Sequence, residues 1–432
     1  MKSLWTEKAE MPHYKKLRGE KKTDVLVIGG GMAGLLCAYM LKRAGVRCIL
    51  VEAQQLCSGI TGGTTAKLTS QHGLIYDRLV NTFGVEKAQL YYMANEAAIA
   101  EYRRLCRTID CGFEDKAAYL YSTHDRAALE QEMEALERMH CRAQFAEQAP
   151  MPLRTVGSVC FPNQAQFHPL RFAAALTDGL EIYENTQVTH VSGSTAITDD
   201  GKIIAQSIIV ATHFPFINRH GSYFMKLYQE RAGVVAMSGA PQVDGMFADI
   251  SSDGLSLRTA EGLLLLSGGS KRTGKSGGGL PLLERTARRL FPQGEVRFRW
   301  AAQDCITLDG MPYIGQYSRR TPGLYVATGF NKWGMTSSMT AALLLTDLVM
   351  GRRNEYAALF SPSRSMLHPQ LALNAAETTL NLLRPFPKRC SHLGCALKWN
   401  AAEHTWDCPC HGSRFSEEGE VIDNPAEKRL KH

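Results

Sequence analysis

The 432-residue sequence contains no apolar run long enough to cross a bilayer. The nearest approach, Thr340 to Met350, has about half of the roughly 20 residues that a spanning helix needs. The N-terminal stretch is basic but lacks the apolar core of a signal peptide, and no arginine pair precedes the first predicted strand. We therefore expect a cytoplasmic protein with no transmembrane segment.

A dense basic stripe of the kind that binds nucleic acid is also missing. The net charge is only +7, and its surplus is diffuse: residues 213–300 hold twelve Lys/Arg against seven Asp/Glu. This distribution favours an anionic small molecule or partner over nucleic acid, unless the charges are ordinary solvated surface. We expect no nucleic-acid partner.

The cysteines do not form the framework of a small secreted protein, because the chain is large and lacks a signal. Eight of the twelve are scattered from Cys37 to Cys305 and are typical of reduced core or surface residues. The remaining four, Cys390, Cys395, Cys408 and Cys410, crowd into 21 residues. This cluster requires a specific explanation.

A dinucleotide-binding motif lies near the N-terminus. A buried parallel strand is predicted at 24–29 and a helix at 35–44, and Gly29-Gly-Gly31-Met32-Ala33-Gly34 joins them. The next strand ends at Glu52, about 20 residues on, which is the context that separates this fingerprint from a ligand-free glycine turn. Gly31 lets the backbone approach a pyrophosphate, Gly34 allows close packing, and Glu52 binds a ribose hydroxyl. The N-terminal position and the lack of a second such motif favour FAD over NAD.

Further motifs resemble the D-amino-acid oxidase/glycine oxidase superfamily of FAD-dependent oxidoreductases. They are Ser58-Gly-Ile-Thr-Gly-Gly-Thr64-Thr65-Ala66-Lys67, Glu184-Asn-Thr-Gln-Val188, Ile208-Ile-Val-Ala-Thr212, Leu308-Asp-Gly-Met-Pro-Tyr-Ile-Gly315 and Tyr325 to Thr336. The resemblance implies that Thr64, Thr65 and Ala66 run over the isoalloxazine and that Val188 contacts the adenine through its backbone. It also implies that Gly329, Gly334 and Met335 belong to a segment that begins a helix. The N-terminus of that helix would point at the flavin and stabilise negative charge there.

Catalytic residues are less well specified. Lys332, beside that helix, is the candidate catalytic residue, although a surface lysine would fit the same pattern. Arg231, Arg258 and Arg272 are candidates for binding a substrate carboxylate. Gly269 to Ser276 matches a P-loop, but Gly277-Gly-Gly279 follows where a helix must begin, so we expect a basic hairpin loop.

The C-terminal cysteines occur as Cys390-Ser-His392 and Cys408-Pro-Cys-His411, with 15 residues between His392 and Cys408. A Rieske 2Fe–2S cluster takes one Cys and one His from each of two loops. Zinc sites usually space paired ligands two to four residues apart, and zinc would leave Cys395 and Cys410 unexplained. We therefore predict that Cys390, His392, Cys408 and His411 bind a Rieske-type cluster.

The two loops resemble those of high-potential Rieske proteins, and that resemblance implies a disulfide between Cys395 and Cys410. It also places Ser413 where its hydroxyl bonds a cluster sulfur, whereas Phe415 stands where quinol-oxidising members carry a tyrosine. Few residues separate the helical stretch at 371–382 from Cys390, so we expect a trimmed module.

The predicted fold is α/β, with a Rossmann-like FAD-binding domain, an interleaved α+β substrate domain and a small all-β Rieske-type module. The expected ranges are an N-terminal extension at 1–23, the FAD-binding domain at 24–72, 152–212 and 301–352, the substrate domain at 73–151 and 213–300, a linker at 353–386 and the module at 387–432.

These elements together predict an FAD-dependent dehydrogenase of a small amine or amino-acid-like substrate. Electrons would pass from the flavin to the cluster and on to an unknown one-electron acceptor. Two alternatives remain open: a flavin/Rieske reductase fed by NAD(P)H, and a redox sensor.

Overall fold

The computed structural model describes residues 2–251 and 254–430. Its α-helices are α1 Leu4–Lys8, α2 Met32–Arg43, α3 Tyr76–Phe83, α4 Val85–Leu105, α5 Arg126–Arg138, α6 Pro169–Leu176, α7 Tyr223–Lys226, α8 Gly279–Leu290, α9 Gly334–Val349, α10 Ala357–Phe360 and α11 Pro369–Leu383, with a 3₁₀ turn at Ile60–Gly63. None of the helices in these ranges has the length and apolarity of a bilayer span.

The strands fall into three sheets. In chain order they are β1 Gly19–Ile28, β2 Cys48–Val51, β3 Lys67–Leu68, β4 Glu114–Ser122, β5 Gln144–Ala146, β6 Gly157–Gln166, β7 Glu181–Tyr183, β8 Val188–Ser192, β9 Thr195–Thr198, β10 Gly201–Val210, β11 Leu227–Ser238, β12 Met246–Asp249, β13 Ser256–Ala260, β14 Leu263–Arg272, β15 Glu295–Thr307, β16 Tyr313–Gln316, β17 Leu324–Thr328, β18 Lys398–Asn400, β19 Thr405–Asp407, β20 Arg414–Phe415 and β21 Val421–Asp423.

The first sheet is the predicted dinucleotide-binding core. Its strand order is β16-β17-β10-β1-β2-β7, and the pairs of β1 with β10 and β2 are parallel. Val25 to Ile28 at the end of β1 are buried, because α2 covers one face of this sheet and the core formed with β8 and β9 covers the other. Helix α2 is apolar nearly all round since it packs between this sheet and α9. The carboxyl ends of β1, β2 and β10 therefore meet at one edge.

The second sheet is larger and mostly antiparallel, with the order β15-β11-β14-β13-β12-β4-β6-β3. It includes β6 and the Ala301–Thr307 end of β15, which the expected ranges place in the FAD-binding domain. Alternating burial looks the same in either sheet, so the sequence pattern finds such strands without assigning them to a sheet. The structure thus extends the second sheet at the expense of the expected boundaries.

The third sheet, β18-β19-β20-β21, is the small all-β unit at the C-terminal end. Helix α11 precedes it, as the sequence pattern predicts, and an Arg389–Ala396 bridge opens its first loop. Its own core holds Cys390, Cys395, Cys408, Cys410 and Phe415. A separate core of this kind is what a small cluster-binding module needs.

Candidate cofactor and cluster sites

A cavity of about 880 Å³ lies at the edge where β1, β2 and β10 end. Ligands of open α/β sheets bind at this edge. The predicted FAD contacts that line it are Gly29, Gly31, Met32, Ala33, Glu52, Thr64, Thr65, Val188, Gly329, Gly334 and Met335. Two others, Gly34 and Ala66, lie behind the wall rather than on it. Predicted contacts as far apart in the sequence as Gly29 and Met335 are therefore brought to one cavity.

The glycine loop fits a dinucleotide phosphate for steric reasons. A Cβ on Gly29 would lie 2.6 Å from the Ala211 carbonyl oxygen, and one on Gly34 would lie 1.8 Å from the Gly29 carbonyl oxygen. Gly31 precedes α2 without a side-chain cap of its own, and Gly31, Met32 and Ala33 line the cavity, with the Met32 amide donating to Thr61 Oγ1 at 2.9 Å. A helix N-terminus presented in this way is an anion site.

Glu52 is held in place at the cavity wall by backbone amides. Its carboxylate accepts hydrogen bonds from Gly30 N at 2.7 Å and Gln54 N at 2.9 Å. Burial raises the pKa of this carboxyl despite those two donors. A positioned carboxylate in this place fits a ribose hydroxyl, so the residues present fit FAD.

Lys332, the candidate catalytic residue from the sequence, already has hydrogen-bonding and acidic partners. Its ammonium lies 2.7 Å from Glu230 Oε2 and donates to Ser270 Oγ at 2.6 Å, although the residue does line the cavity. Asp304 lines the same region, and burial raises the pKa of its carboxyl to about 6. The cavity therefore carries an acidic group beside this lysine that sequence reasoning did not single out.

Lys67 is the second lysine on the cavity wall and, unlike Lys332, has no carboxylate partner among the described residues. Its ammonium contacts only the Ser256 hydroxyl, and no acidic side chain pairs with it among the described residues. Burial, with a smaller effect of Arg258, lowers the pKa of Lys67 to about 7. The residue closes the motif that runs from Ser58, which was its only signal in the sequence, and the structure places it on the cavity wall.

The three arginines proposed for a substrate carboxylate have other partners, and none lines the cavity. Arg258 is buried over the Trp5 ring and donates to the Ala66 carbonyl oxygen at 2.8 Å. Arg231 pairs with Glu403, and Arg272 donates to the carbonyl oxygens of Pro409 and Cys410 at 3.0 and 2.9 Å. That prediction was wrong, because each of these cations pairs with a segment that is distant in the sequence.

The two predicted cluster loops have the same local structure. Gly394 N donates to the Cys390 carbonyl oxygen, and Gly412 N donates to the Cys408 carbonyl oxygen, both at 2.9 Å. Both glycines have positive φ, at 79° and 88°, which explains why glycine stands at the same place in each loop. The two cysteine sulfurs are hydrogen-bonded to each other across the loops.

The two histidines supply the most direct test of whether the residues fit a cluster. The rings of His392 and His411 lie 5.1 Å apart at 90°, and the Nδ1 atom of each is buried without a hydrogen-bond partner in the described part of the chain. Burial lowers their pKa values to about 4 and about 3, so both imidazoles are neutral. A buried, unpartnered and neutral imidazole nitrogen is what a metal takes as a ligand. The donor set therefore fits a Rieske cluster.

The additional cysteines lie beside the ligands. The sulfurs of Cys395 and Cys410 and that of Cys408 lie within 4.8 Å of one another, and Cys395 and Cys410 are unbonded in the structure. The disulfide stays a prediction. Ser413 hydrogen-bonds the Cys390 thiol, in line with its expected contact to a cluster sulfur.

A buried amide pair links the module to the cavity. Gln229 Nε2 donates to the carbonyl oxygens of His411 and Asn424, both at 2.8 Å. Its Oε1 accepts from Gln303 Nε2 at 3.0 Å and lies 3.1 Å from His213 Nε2. Both Gln229 N–H protons point at carbonyl oxygens, which leaves its side-chain oxygen facing His213. Because that oxygen can only accept, His213 donates to it and carries its proton on Nε2.

The module also supplies part of the cavity wall. Residues Glu420 to Asn424, Ala426, Glu427 and Arg429 line the same cavity as the glycine loop. Asn424 Nδ2 donates to the Thr212 carbonyl oxygen at 2.5 Å and to that of Phe214 at 3.1 Å. One cavity is therefore built from both ends of the chain.

Two family models match the chain. The model for FAD dependent oxidoreductases matches residues 24–348, and that for the Rieske [2Fe-2S] domain matches residues 364–432. The second range begins before the expected module boundary and includes α11. Together the two models match most of the sequence.

The chain is also similar to individual proteins of both kinds. YhfW of Bacillus subtilis (strain 168), named as a Rieske 2Fe-2S iron-sulfur protein, is 35% identical over 495 aligned residues, covering 99% of this chain and 97% of the relative. Gamma-glutamylputrescine oxidoreductase of Escherichia coli (strain K12) is 22% identical, covering 83% of this chain and 92% of that protein. The crystal structure of glycine oxidase from Geobacillus kaustophilus superposes with a TM-score of 0.67 at 23% identity, covering 80% of this chain and 100% of that one.

Proposed function

Because the chain belongs to the family of FAD-dependent oxidoreductases and carries a Rieske 2Fe–2S domain, we propose that it is a dehydrogenase of a small amine or amino-acid-like substrate. It passes the electrons to its own cluster and from there to a one-electron acceptor. The named activity of the gamma-glutamylputrescine relative, which acts on an amine, supports this class of substrate.

The observation that best supports this proposal is that the FAD-binding part and the cluster module line the same cavity. When bound, FAD takes up a pair of electrons from an organic substrate, and a 2Fe–2S cluster carries one electron at a time. Residues of the cluster module, among them Asp423 and Asn424, stand in the wall of the cavity that the glycine loop begins. A cluster tethered by a flexible linker would not need such contacts.

The amide pair supports a fixed position for the module. Gln229 and Gln303 are buried, and both reach the second cluster loop, Gln229 at the His411 carbonyl oxygen and Gln303 at the Gly412 carbonyl oxygen. The partly buried ion pair of Arg231 with Glu403 adds a second attachment. Since each such hydrogen bond has a net contribution of about 0.5–1.5 kcal/mol relative to solvation, these contacts oppose separation of the two parts.

Within the cavity, Lys67 is the residue we assign to accepting a proton. A substrate ammonium must lose a proton before its carbon can give up a hydride, and a neutral amine with a pKa near operating pH is suited to take it. Lys332 is paired with Glu230 and is suited to positioning instead.

An anaerobic screen of amines and amino acids tests the proposal. The expected result is bleaching of the flavin absorption by at least one amine, with formation of the corresponding imine-derived carbonyl product. NADH and NADPH are the controls, because rapid bleaching by either in the absence of any response to amines would contradict the assignment.

A further inference from the structure

Helix α11 turns its apolar side outward. Leu373, Leu380 and Leu383 are 60%, 68% and 76% exposed, and Leu367 just before the helix is 92% exposed. Five of the thirteen large apolar side chains that are exposed in the described part of the chain lie between residues 367 and 383. Exposed apolar groups concentrated in this way mark an interaction surface.

The side of α11 that faces the protein is polar. Asn374 and Asn381 are buried, and Asn374 Oδ1 accepts from Arg272 Nη1 at 3.0 Å. Glu377 on the same side pairs with Lys275. This polarity is the reverse of a surface helix that packs on its own core. The outer face, defined here as Ala372, Leu373, Ala376, Thr379, Leu380 and Leu383, carries no charged group.

The outer face ends at the first cluster loop. Asn381 O accepts from Ala396 N at 2.9 Å, and Arg389 Nη1 donates to the carbonyl oxygens of Leu382 and Gly394 at 2.9 and 3.0 Å. The loop carries His392, which is half-buried, whereas His411 is 2% exposed. His392 is thus the cluster ligand that lies nearer to solvent: its loop is the one bonded to α11, and its Nε2 lies 3.2 Å from Oδ1 of the exposed Asn218.

The charges around the outer face have one sign. Residues 365–400 contain four Lys/Arg, namely Arg384, Lys388, Arg389 and Lys398, against the single acid Glu377. That acid is already paired with Lys275, so a second copy of this face offers no free carboxylate to these cations. An apolar centre with a charged rim is the anatomy of a protein interface, and a basic rim favours an acidic partner.

We propose that the outer face of α11 is the docking surface for a small acidic electron-carrier protein, which takes electrons from the cluster through the His392 side. The inference rests on the proposed function, since it names the class of its acceptor. One electron leaves the reduced cluster and reduces the oxidised carrier by one electron, and no bond is made or broken.

Reoxidation of the holoenzyme tests the docking surface. The cluster is reduced with a stoichiometric amount of dithionite, so the test does not depend on the amine reaction. It is then mixed in a stopped-flow instrument with an oxidised acidic c-type cytochrome or, separately, with a basic one of similar potential. We expect the acidic probe to react faster and its rate to fall as salt is added.

Three variants locate the surface. Leu380→Asp with Leu383→Asp should slow reoxidation by the acidic probe about tenfold or more, and Arg384→Glu should weaken the salt dependence. Leu282→Asp is the matched control, because Leu282 is 42% exposed on α8 and should leave the rate unchanged. If the double variant loses its cluster, Arg384→Glu alone decides.

Three results would overturn the inference. Equal rates for the two probes with no effect of the α11 variants would place docking elsewhere. A dimer of the holoenzyme that Leu380→Asp converts to monomer would assign the face to a second copy. Sedimentation of the wild type, but not of Leu380→Asp, with vesicles rich in phosphatidylglycerol would assign it to a bilayer. A failed amine screen with normal reoxidation would leave this surface in place and contradict only the substrate half of the account.

Discussion

The side-chain amide of Gln229 donates a hydrogen bond to the carbonyl oxygen of His411 at 2.8 Å, across 182 residues of sequence. It thereby joins a strand of the second sheet to the backbone of a predicted cluster ligand. The next residue, Gly412, packs directly on the Gln229 side chain, which leaves no room for a side chain at this position of the second loop. The relationship gives a direct way to disturb the position of the module.

Gly412→Ala should displace the second cluster loop. An added Cβ would lie 2.5 Å from Gln229 Cβ, and φ at this residue is 88°. Gly394→Ala is the matched control, because φ is 79° there but no atom lies within 4 Å of the added Cβ. Backbone strain costs each variant about 1 kcal/mol, and overpacking adds about 1–3 kcal/mol at Gly412 only. Thermal unfolding followed in the circular dichroism of the cluster should separate the two; equal losses would show that the contact with Gln229 is unimportant.

Glu52→Ala should weaken retention of FAD without unfolding the chain. The variant removes the acceptor of the Gly30 and Gln54 amides and the proposed partner of the ribose. We expect at least about tenfold weaker binding, equivalent to roughly 1.4 kcal/mol, by titration of apoprotein with FAD. Recovery of FMN, or of no flavin at all, from anaerobically purified wild type would contradict the assignment of the N-terminal half.

Lys67→Met should slow flavin reduction by the best amine about 100-fold or more. In the wild type the rate should rise with pH through about 7, because the neutral form of Lys67 accepts the proton. The variant should lack this limb, whereas Lys332→Met should keep it. A limb near pH 7 that persists in Lys67→Met would assign the base to another residue.

The same lysine has a signature in stability. Its pKa is lowered to about 7 in the folded state, so the unfolded chain binds more protons from there up to about 10. The stability of the wild type relative to Lys67→Met should therefore rise with pH across that window. Denaturant titrations at pH 7 and pH 9 measure the difference.

Cys395 and Cys410 should be bonded to each other in the cluster-loaded protein. Both are buried inside the module, where reductants do not reach them. Mass mapping of an unreduced digest should recover their peptides linked. Cys106 and Cys111, whose sulfurs lie 3.5 Å apart, are the comparison pair and should be free. Free thiols at Cys395 and Cys410 beside an intact cluster would contradict the prediction.

The sequence predicted those parts of the sites that are encoded locally. The glycine loop and the two cluster loops are contiguous motifs whose spacing alone specifies their geometry, and the structure brings Cys390 and Cys408, and His392 and His411, together in pairs. The spacing did not reveal features that depend on contacts between distant parts of the sequence. Arg231 and Arg272 have the same local pattern whether they bind substrate or the module, and only the fold shows their partners.

The same limit applies to Lys67 and α11. A lysine at the end of a motif is distinguished only by the absence of a carboxylate around it, which no local pattern records. The helical stretch predicted at 371–382 lies within α11, but a helical pattern does not say which face is outside. The inverted polarity of α11 is a property of what it packs against.

We propose that electrons pass from the flavin to the cluster within one chain. The most direct test is anaerobic addition of an amine that bleaches the flavin, followed by freeze-quench electron paramagnetic resonance. A hydride donor does not reduce a one-electron cluster directly, so we expect a Rieske-type signal of one electron per cluster to grow as the reduced flavin gives up one of its two electrons. Two irons and two sulfides per chain should accompany it. A flavin that stays reduced beside an oxidised cluster that dithionite can still reduce, or zinc in place of iron, would contradict it.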